Sequence, residues 1–222
     1  MELAKLTTGD VAYRYDKSIA LFFSGARKVL STSLYNGGYH EDFTAVFNRD
    51  MTQGAGMPCE ELASTYVESM RIVAQRIGLD PDRTTGMGTA AQMENVSIQS
   101  RSYKELTVTS IVTGGGETNG GRVGDPASYY KTVPKKCGTI NIILVIDADL
   151  LPGILARALV TCTEAKTAAL QELMAESRYS CGLATGSGTD QTIIVANTES
   201  PLYFEGAGKH SKLGELIGQS VM

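Results

Sequence analysis

Gly138-Thr139-Ile140-Asn141-Ile142-Ile143-Leu144-Val145-Ile146-Asp147 is the stretch that decides the fold. So continuous an apolar run reads as a central strand covered on both faces, since a strand with one wet face would alternate. Asn141 interrupts the run, and an amide in that place must bond something buried. Downstream the hydrophobic period changes. With Asp149 as N-cap and Pro152 in the first turn, a helix is predicted to run to about Ser177. At about 100° per residue, Leu155, Leu159, Cys162, Leu170 and Leu173 fall on one stripe, with Lys166 in its middle and Glu164 pointing to the far side. A lysine there either snorkels to water or finds a carboxylate, and Asp190 is the nearest candidate. A Gly/Ser/Thr loop over 182–190, a second buried strand at 192–196 and a closing helix at 211–221 complete this half.

Upstream, short β-branched and aromatic runs at 11–15, 18–23 and 28–33 predict strands in an antiparallel meander. A short strand at 45–48 precedes a helix over 58–77, stopped by Gly78, with Leu62, Tyr66, Met70 and Val73 as its apolar face. Further strands are predicted at 84–89, 97–103 and 106–113, with a helical turn at 90–95, before a glycine-rich stretch at 114–124. The fold class that follows is an α/β (α+β) sandwich, with a mixed, largely antiparallel sheet packed by a few helices, in a single domain over 1–222.

Composition narrows the function. Of the 222 residues 42% are hydrophobic and 20% charged, and a mean hydropathy of -0.07 with no long apolar run predicts a soluble protein without a membrane span. The net charge of -4, with lysines and arginines scattered and the tightest basic pair, Lys135-Lys136, in a loop beside Pro134, argues against nucleic acid as a partner. The N-terminal Met1-Glu2-Leu3-Ala4-Lys5 lacks a basic region followed by an apolar core, so the expected compartment is cytoplasmic. Cys59, Cys137, Cys162 and Cys181 show no C-x-x-C pairing and read as reduced thiols. With His40 and His210 as its two histidines, the chain is expected to need no metal.

Thr185-Gly186-Ser187-Gly188-Thr189-Asp190 places glycines and hydroxyls just before a buried strand, where backbone amides can approach an oxyanion. It is not a P-loop, because no G-x-x-x-x-G-K-[ST] pattern is present and no helix follows. The segment 113–125 is not a dinucleotide fingerprint and reads either as a substrate-contacting lid or as a plain surface loop. Asn36, Asn48, Asn119 and Asn141 are amides at strand ends or inside a strand. The absence of G-x-S-x-G disfavours a serine hydrolase.

Read in order, Leu30-Ser31-Thr32-Ser33 through Asn36-Gly37-Gly38, Thr118-Asn119 with Gly124-Asp125-Pro126, Gly138-Thr139-Ile140-Asn141-Ile142, Thr163-Glu164-Ala165-Lys166-Thr167, the 184–190 block and Lys212-Leu213-Gly214-Glu215-Leu216-Ile217-Gly218 resemble the adenosylcobinamide amidohydrolase family, the CbiZ type. The similarity is collinear from about residue 18 onward. The resemblance implies hydrolysis of the amide joining a corrin side chain to aminopropanol, with the corrinoid as substrate and no cofactor. Amide hydrolysis needs proton transfer and donors for an oxyanion, and the expected roles are Lys166 or Glu164 for proton transfer, Asp190 to orient it, and Thr185 or Thr189 for oxyanion or substrate contact. Asn36, Asn48, Asn119, Asn141, Thr185 and Thr189 are then the expected substrate contacts. Small-molecule corrinoid is the expected partner, without nucleic acid or membrane, and a homo-oligomer is left open. Two departures stand out: Arg49-Asp50-Met51 follows Asn48 where a histidine is expected, and Leu34-Tyr35 precedes Asn36. They keep open a corrinoid-binding module that does not cleave, and beside it an amidase for another small amide.

Overall fold

The computed structural model describes residues 1–53, 60–115, 119–127, 129–130 and 138–222. Strands β1 (Glu2–Lys5), β2 (Val11–Tyr15), β3 (Ser18–Phe22), β4 (Arg27–Ser31), β5 (Gly38–His40) and β6 (Ala45–Asp50) precede helix α1 (Tyr66–Arg76). Then come β7 (Thr84–Thr89), β8 (Ser97–Tyr103), β9 (Leu106–Gly115), the two-residue β10 (Gly120–Gly121) and β11 (Thr139–Ile146). Helix α2 (Pro152–Glu172), β12 (Gly186–Ser187), β13 (Gln191–Asn197) and α3 (Lys212–Val221) finish the chain.

Among the described residues the strands form a five-stranded sheet, β1-β2-β3-β6-β7, a six-stranded sheet, β5-β4-β13-β11-β9-β8, and a small pair, β10-β12. Two pairings are parallel, β6 with β7 and β11 with β13. Each needs a crossover, which α1 and α2 supply, and the other pairings are antiparallel. The two large sheets lie face to face with helices outside.

Strand alternation shows why. Ile142, Leu144 and Ile146 pack under Leu155 and Cys162 of α2 and Leu213 and Ile217 of α3, while Ile143, Val145, Ile193 and Val195 meet Ile19, Val46 and Met87 between the sheets. On the far side Phe47 and Ala45 meet Met70 and Val73 of α1. The strand 138–147 is therefore buried on both faces, as its composition requires, and each such aliphatic side chain contributes roughly 1.5–3 kcal/mol.

Several expectations are corrected. β2 and β3 pair as a hairpin, but β4 leaves the meander, crosses to the other sheet and pairs with β13 and β5. The crossing is pinned by Arg27, fully buried, whose guanidinium donates to Asp10 at 2.7 and 3.1 Å and to Asn197 Oδ1 at 2.9 Å. Helix α1 opens at Tyr66, with Thr65 Oγ1 accepting from Glu68 N at 3.2 Å, and residues 60–65 are not helical. The predicted start near Pro58 lies outside the described residues, as do Cys59, Cys137 and Lys135-Lys136. Asp149 is not the cap of α2. Leu151 is, and Asp149 instead pairs with Lys28 at 2.7 Å. The helix stops at Glu172 because Met174 turns to a φ of 52°, which leaves Leu173 exposed. Cys162 is a buried free thiol and Cys181 an exposed one. Among the described residues no helix is long and apolar enough to cross a membrane.

Candidate active site

At one end of the sandwich the apolar inter-sheet core gives way to amides. Asn141 and Gln191 are register partners in β11 and β13, and Thr113 of β9 is the partner of Asn141 on its other side. These three share the face that carries Ile143 and Ile193 toward the five-stranded sheet. Asn141 Nδ2 donates to Asn48 Oδ1 at 2.8 Å and to the Gly88 carbonyl at 3.1 Å, and Asn48 Nδ2 donates to Thr113 Oγ1 at 2.7 Å. Gln191 Nε2 reaches the same Gly88 carbonyl at 3.5 Å, while its Oε1 is buried without a hydrogen-bond partner. The amide that breaks the strand pattern thus joins the two sheets.

Lys166 lies on the opposite face of the six-stranded sheet. Its ammonium pairs with Asp190 Oδ2, and both side chains are only 13% and 12% exposed. Asp190 also accepts from Ser187 N at 3.0 Å, Ser187 Oγ at 2.6 Å and Ile140 N at 2.9 Å. Four donors occupy the roughly four lone-pair sites of a carboxylate, so Asp190 fixes the loop and has no lone pair to spare for a water proton. Gly186 is demanded by volume: a Cβ there would stand 2.6 Å from Lys166 Nζ and nearer still to Asp190 Oδ2.

The rest of the loop is held as firmly. Thr167 Oγ1 donates to the Thr185 carbonyl at 3.1 Å, and Thr185 Oγ1 accepts from Val123 N at 2.9 Å. Gly120 and Gly121 pair with Ser187 and Gly186, so the described part of the glycine-rich segment is a strap on the 185–190 loop rather than a free lid. Asn119 Nδ2 and Thr189 Oγ1 both donate to the Gly138 carbonyl, at 2.9 and 3.0 Å. Asp125, held by Ser177 at 2.6 Å and by Arg122 N at 2.7 Å, has its carboxyl lowered below the ordinary range, chiefly by the Ser177 hydrogen bond.

Two expected site residues lie apart. Glu164, two residues or about 200° around the helix from Lys166, is half exposed in a groove between α2 and α3, 3.7 Å from Lys209. Asn36, at a φ of 48°, donates to the carbonyls of Pro81 and Thr84 at 2.9 and 2.8 Å and locks the turn into β5.

A cleft of about 460 Å³ opens where the glycine loop, the end of β7 and the approach to α1 meet, lined by Thr32, Glu60, Tyr66, Thr139, Thr189 and Gln191 among others. Tyr66, expected as one apolar position of a helix face, puts its hydroxyl here, where it accepts from Gly88 N at 2.8 Å with Gln191 and Ser33 in reach. Burial raises its pKa above the ordinary 10.0, so the phenol is neutral at physiological pH. The signal was present in kind, since a buried tyrosine must find a partner for its polar tip. Glu60 is held by Arg49 at 3.1 Å, and Arg49 also donates to the Asp16 carbonyl at 2.9 Å. Being next to Asn48 on a strand, Arg49 faces the other way, toward α1.

A family model described as adenosylcobinamide amidohydrolase, CbiZ, matches residues 3–222. An uncharacterized protein of Methanocaldococcus jannaschii is 33% identical over 220 residues, 92% of this chain and 82% of the relative. A Methanosarcina mazei protein named adenosylcobinamide amidohydrolase is 29% identical over 182 residues, 82% of this chain and 76% of the relative. Matched along almost its whole length, the chain belongs to the adenosylcobinamide amidohydrolase family.

Proposed function

We propose that this protein hydrolyses the amide joining the corrin ring's propionyl side chain to aminopropanol in adenosylcobinamide, giving adenosylcobyric acid. The observation that carries the reading is a convergence. The blocks 138–141 and 185–190, which stand far apart in sequence, meet Asn48 and Gly88 at one end of the sandwich around a single cleft. Such a wall of hydroxyls, amides and strand-end peptides suits a macrocycle rimmed with primary amides. Water supplies the oxygen: it bonds to the carbonyl carbon, the C–N bond breaks, and the amine departs as the ammonium.

In this reading Lys166 and Asp190 are positioning residues. Their charges are paired and largely dry, with Lys166 behind the 185–190 loop and Asp190 at the cleft wall, and they hold Thr189 and the neighbouring Thr139 in place on the cleft. Asn141, braced by Asn48, and Asn119 hold the Gly88 and Gly138 peptides that border it.

The test is incubation of the purified protein with adenosylcobinamide, followed by liquid chromatography and mass spectrometry. Adenosylcobyric acid and free aminopropanol are expected, and their absence overturns the reading. A corrinoid absorbance shift without product would instead identify a binding module. The commitment of Arg49 to Glu60, in the position beside Asn48, favours that second reading.

A further inference from the structure

Tyr66 lines this cleft without a part in the hydrolysis described so far. It begins α1, directly after the capping Thr65, and its ring lies against Gly88, where a Cβ would stand 3.0 Å from Tyr66 Cε2 and 3.3 Å from its hydroxyl. The Gly88 peptide is held from both sides. Its N–H donates to the phenolic oxygen at 2.8 Å, and its carbonyl accepts from Asn141 at 3.1 Å. The hydroxyl is therefore placed by the same amide network that joins the sheets.

Several other hydroxyls of the cleft have spent their hydrogens. Thr32 donates to the Thr192 carbonyl at 3.3 Å, Thr139 to the Thr189 carbonyl at 2.7 Å and Thr189 to the Gly138 carbonyl at 3.0 Å. Lys166 and Ser187 are turned to Asp190. Tyr66, Thr65, Ser69 and Thr89 are instead engaged as acceptors, from Gly88 N, Glu68 N, Ala63 N and Ala91 N. Among these Tyr66 is the phenol, a stronger neutral donor than an alkyl hydroxyl, and rotation about a single bond, Cζ–Oη, aims its hydrogen at a ligand.

We propose that Tyr66 donates a hydrogen bond to the carbonyl oxygen of the scissile amide and stabilises the oxyanion formed when water adds. The assignment rests on the hydrolase reading. As the water oxygen bonds to the carbonyl carbon, the π pair moves onto the carbonyl oxygen, which Tyr66 receives without giving up its proton. When the C–N bond breaks, its electron pair goes to nitrogen, the C=O bond reforms, and both water protons leave with the amine as R–NH3⁺ beside the new carboxylate. The raised pKa of the phenol is in keeping with this, since a neutral donor is required and a phenolate would repel the oxyanion.

The experiment compares steady-state hydrolysis of adenosylcobinamide by the wild-type protein, Tyr66→Phe and Gly88→Ala, with thermal melts of all three. Tyr66→Phe keeps the ring and is expected to lower kcat by about a hundredfold or more while KM stays within about threefold. Gly88→Ala retains the hydroxyl but displaces it, and should also lower kcat at constant KM. It decides the matter alone if the phenylalanine variant fails to fold. A Tyr66→Phe enzyme with kcat within about threefold of wild type, or one changed in KM alone, overturns the assignment and leaves the hydrolase reading standing. A wild-type protein that releases no aminopropanol overturns both.

Discussion

Asn141 of β11 donates to Asn48 of β6 at 2.8 Å, a hydrogen bond between two amides that joins the facing sheets at the edge of the candidate site. Both residues are at least nine-tenths buried, so neither amide has water as an alternative. Asn141→Ala leaves Asn48 Oδ1 and the Gly88 carbonyl short of a donor and should cost about 1–3 kcal/mol, read as a lower urea midpoint at unchanged m-value. A double-mutant cycle with Asn48→Ala should show coupling of at least about 0.5 kcal/mol, and strict additivity would mean that the bond does not link the sheets in solution.

Lys166→Ala strips a nearly dry carboxylate of its counter-ion. A loss of about 3–5 kcal/mol is expected from leaving Asp190 charged and unpaired, so reduced activity in that variant does not by itself make Lys166 a proton donor. Lys166→Met with Asp190→Asn removes both charges and should recover part of the stability. Turnover measured on this folded double variant separates a positioning role, in which some activity returns, from direct chemistry, in which none does.

Gly186→Ala should mimic loss of the pair, because its methyl would occupy the space between Lys166 Nζ and Asp190. The effect is expected to be strongly sub-additive with Lys166→Ala in denaturation. A Gly186→Ala protein as stable as wild type would show that the loop can move without disturbing the ion pair.

Glu164→Gln is expected to change stability by no more than about 0.5 kcal/mol, since its partner Lys209 is solvent-exposed and the pair spans 3.7 Å. Turnover should stay near the wild-type value. A large fall in kcat would bring the groove between α2 and α3 into the reaction.

Alkaline pH should unfold the protein through buried acids. Burial is the main cause that raises Tyr35 from 10.0 to about 12, partly offset by the charge of Arg71, and it raises the Cys162 thiol from 9.0 to about 12 against the pull of Lys166. Both groups are favoured in the neutral form by the fold, so their stabilisation is complete below the unfolded values of about 9 to 10 and is lost as pH climbs through about 12. A circular-dichroism titration should show the loss, and Tyr35→Phe should weaken its dependence on pH. Near neutrality, a thiol reagent should modify the exposed Cys181 and spare Cys162.

The sequence alone determined that 138–147 is a two-face-buried strand, that strands fill 84–89, 97–103 and the region from 106, and that Lys166 interrupts the apolar stripe of a long helix. Those features follow from side-chain periodicity, which a few neighbouring residues express. It also made Asn141 conspicuous, because a lone amide in an apolar run has few tolerable environments. Tertiary structure alone decided that β4 leaves the first sheet, that there are two large sheets rather than one, and that Gly88, Gln191 and Tyr66 share a cleft backed by the Asn141–Asn48 bond while Asn36 and Glu164 stand apart. Periodicity tells a residue's face and leaves open which sheet that face meets; the choice belongs to long-range contacts such as Arg27 with Asp10 and Asn141 with Asn48, whose partners lie 17 and 93 residues away along the chain.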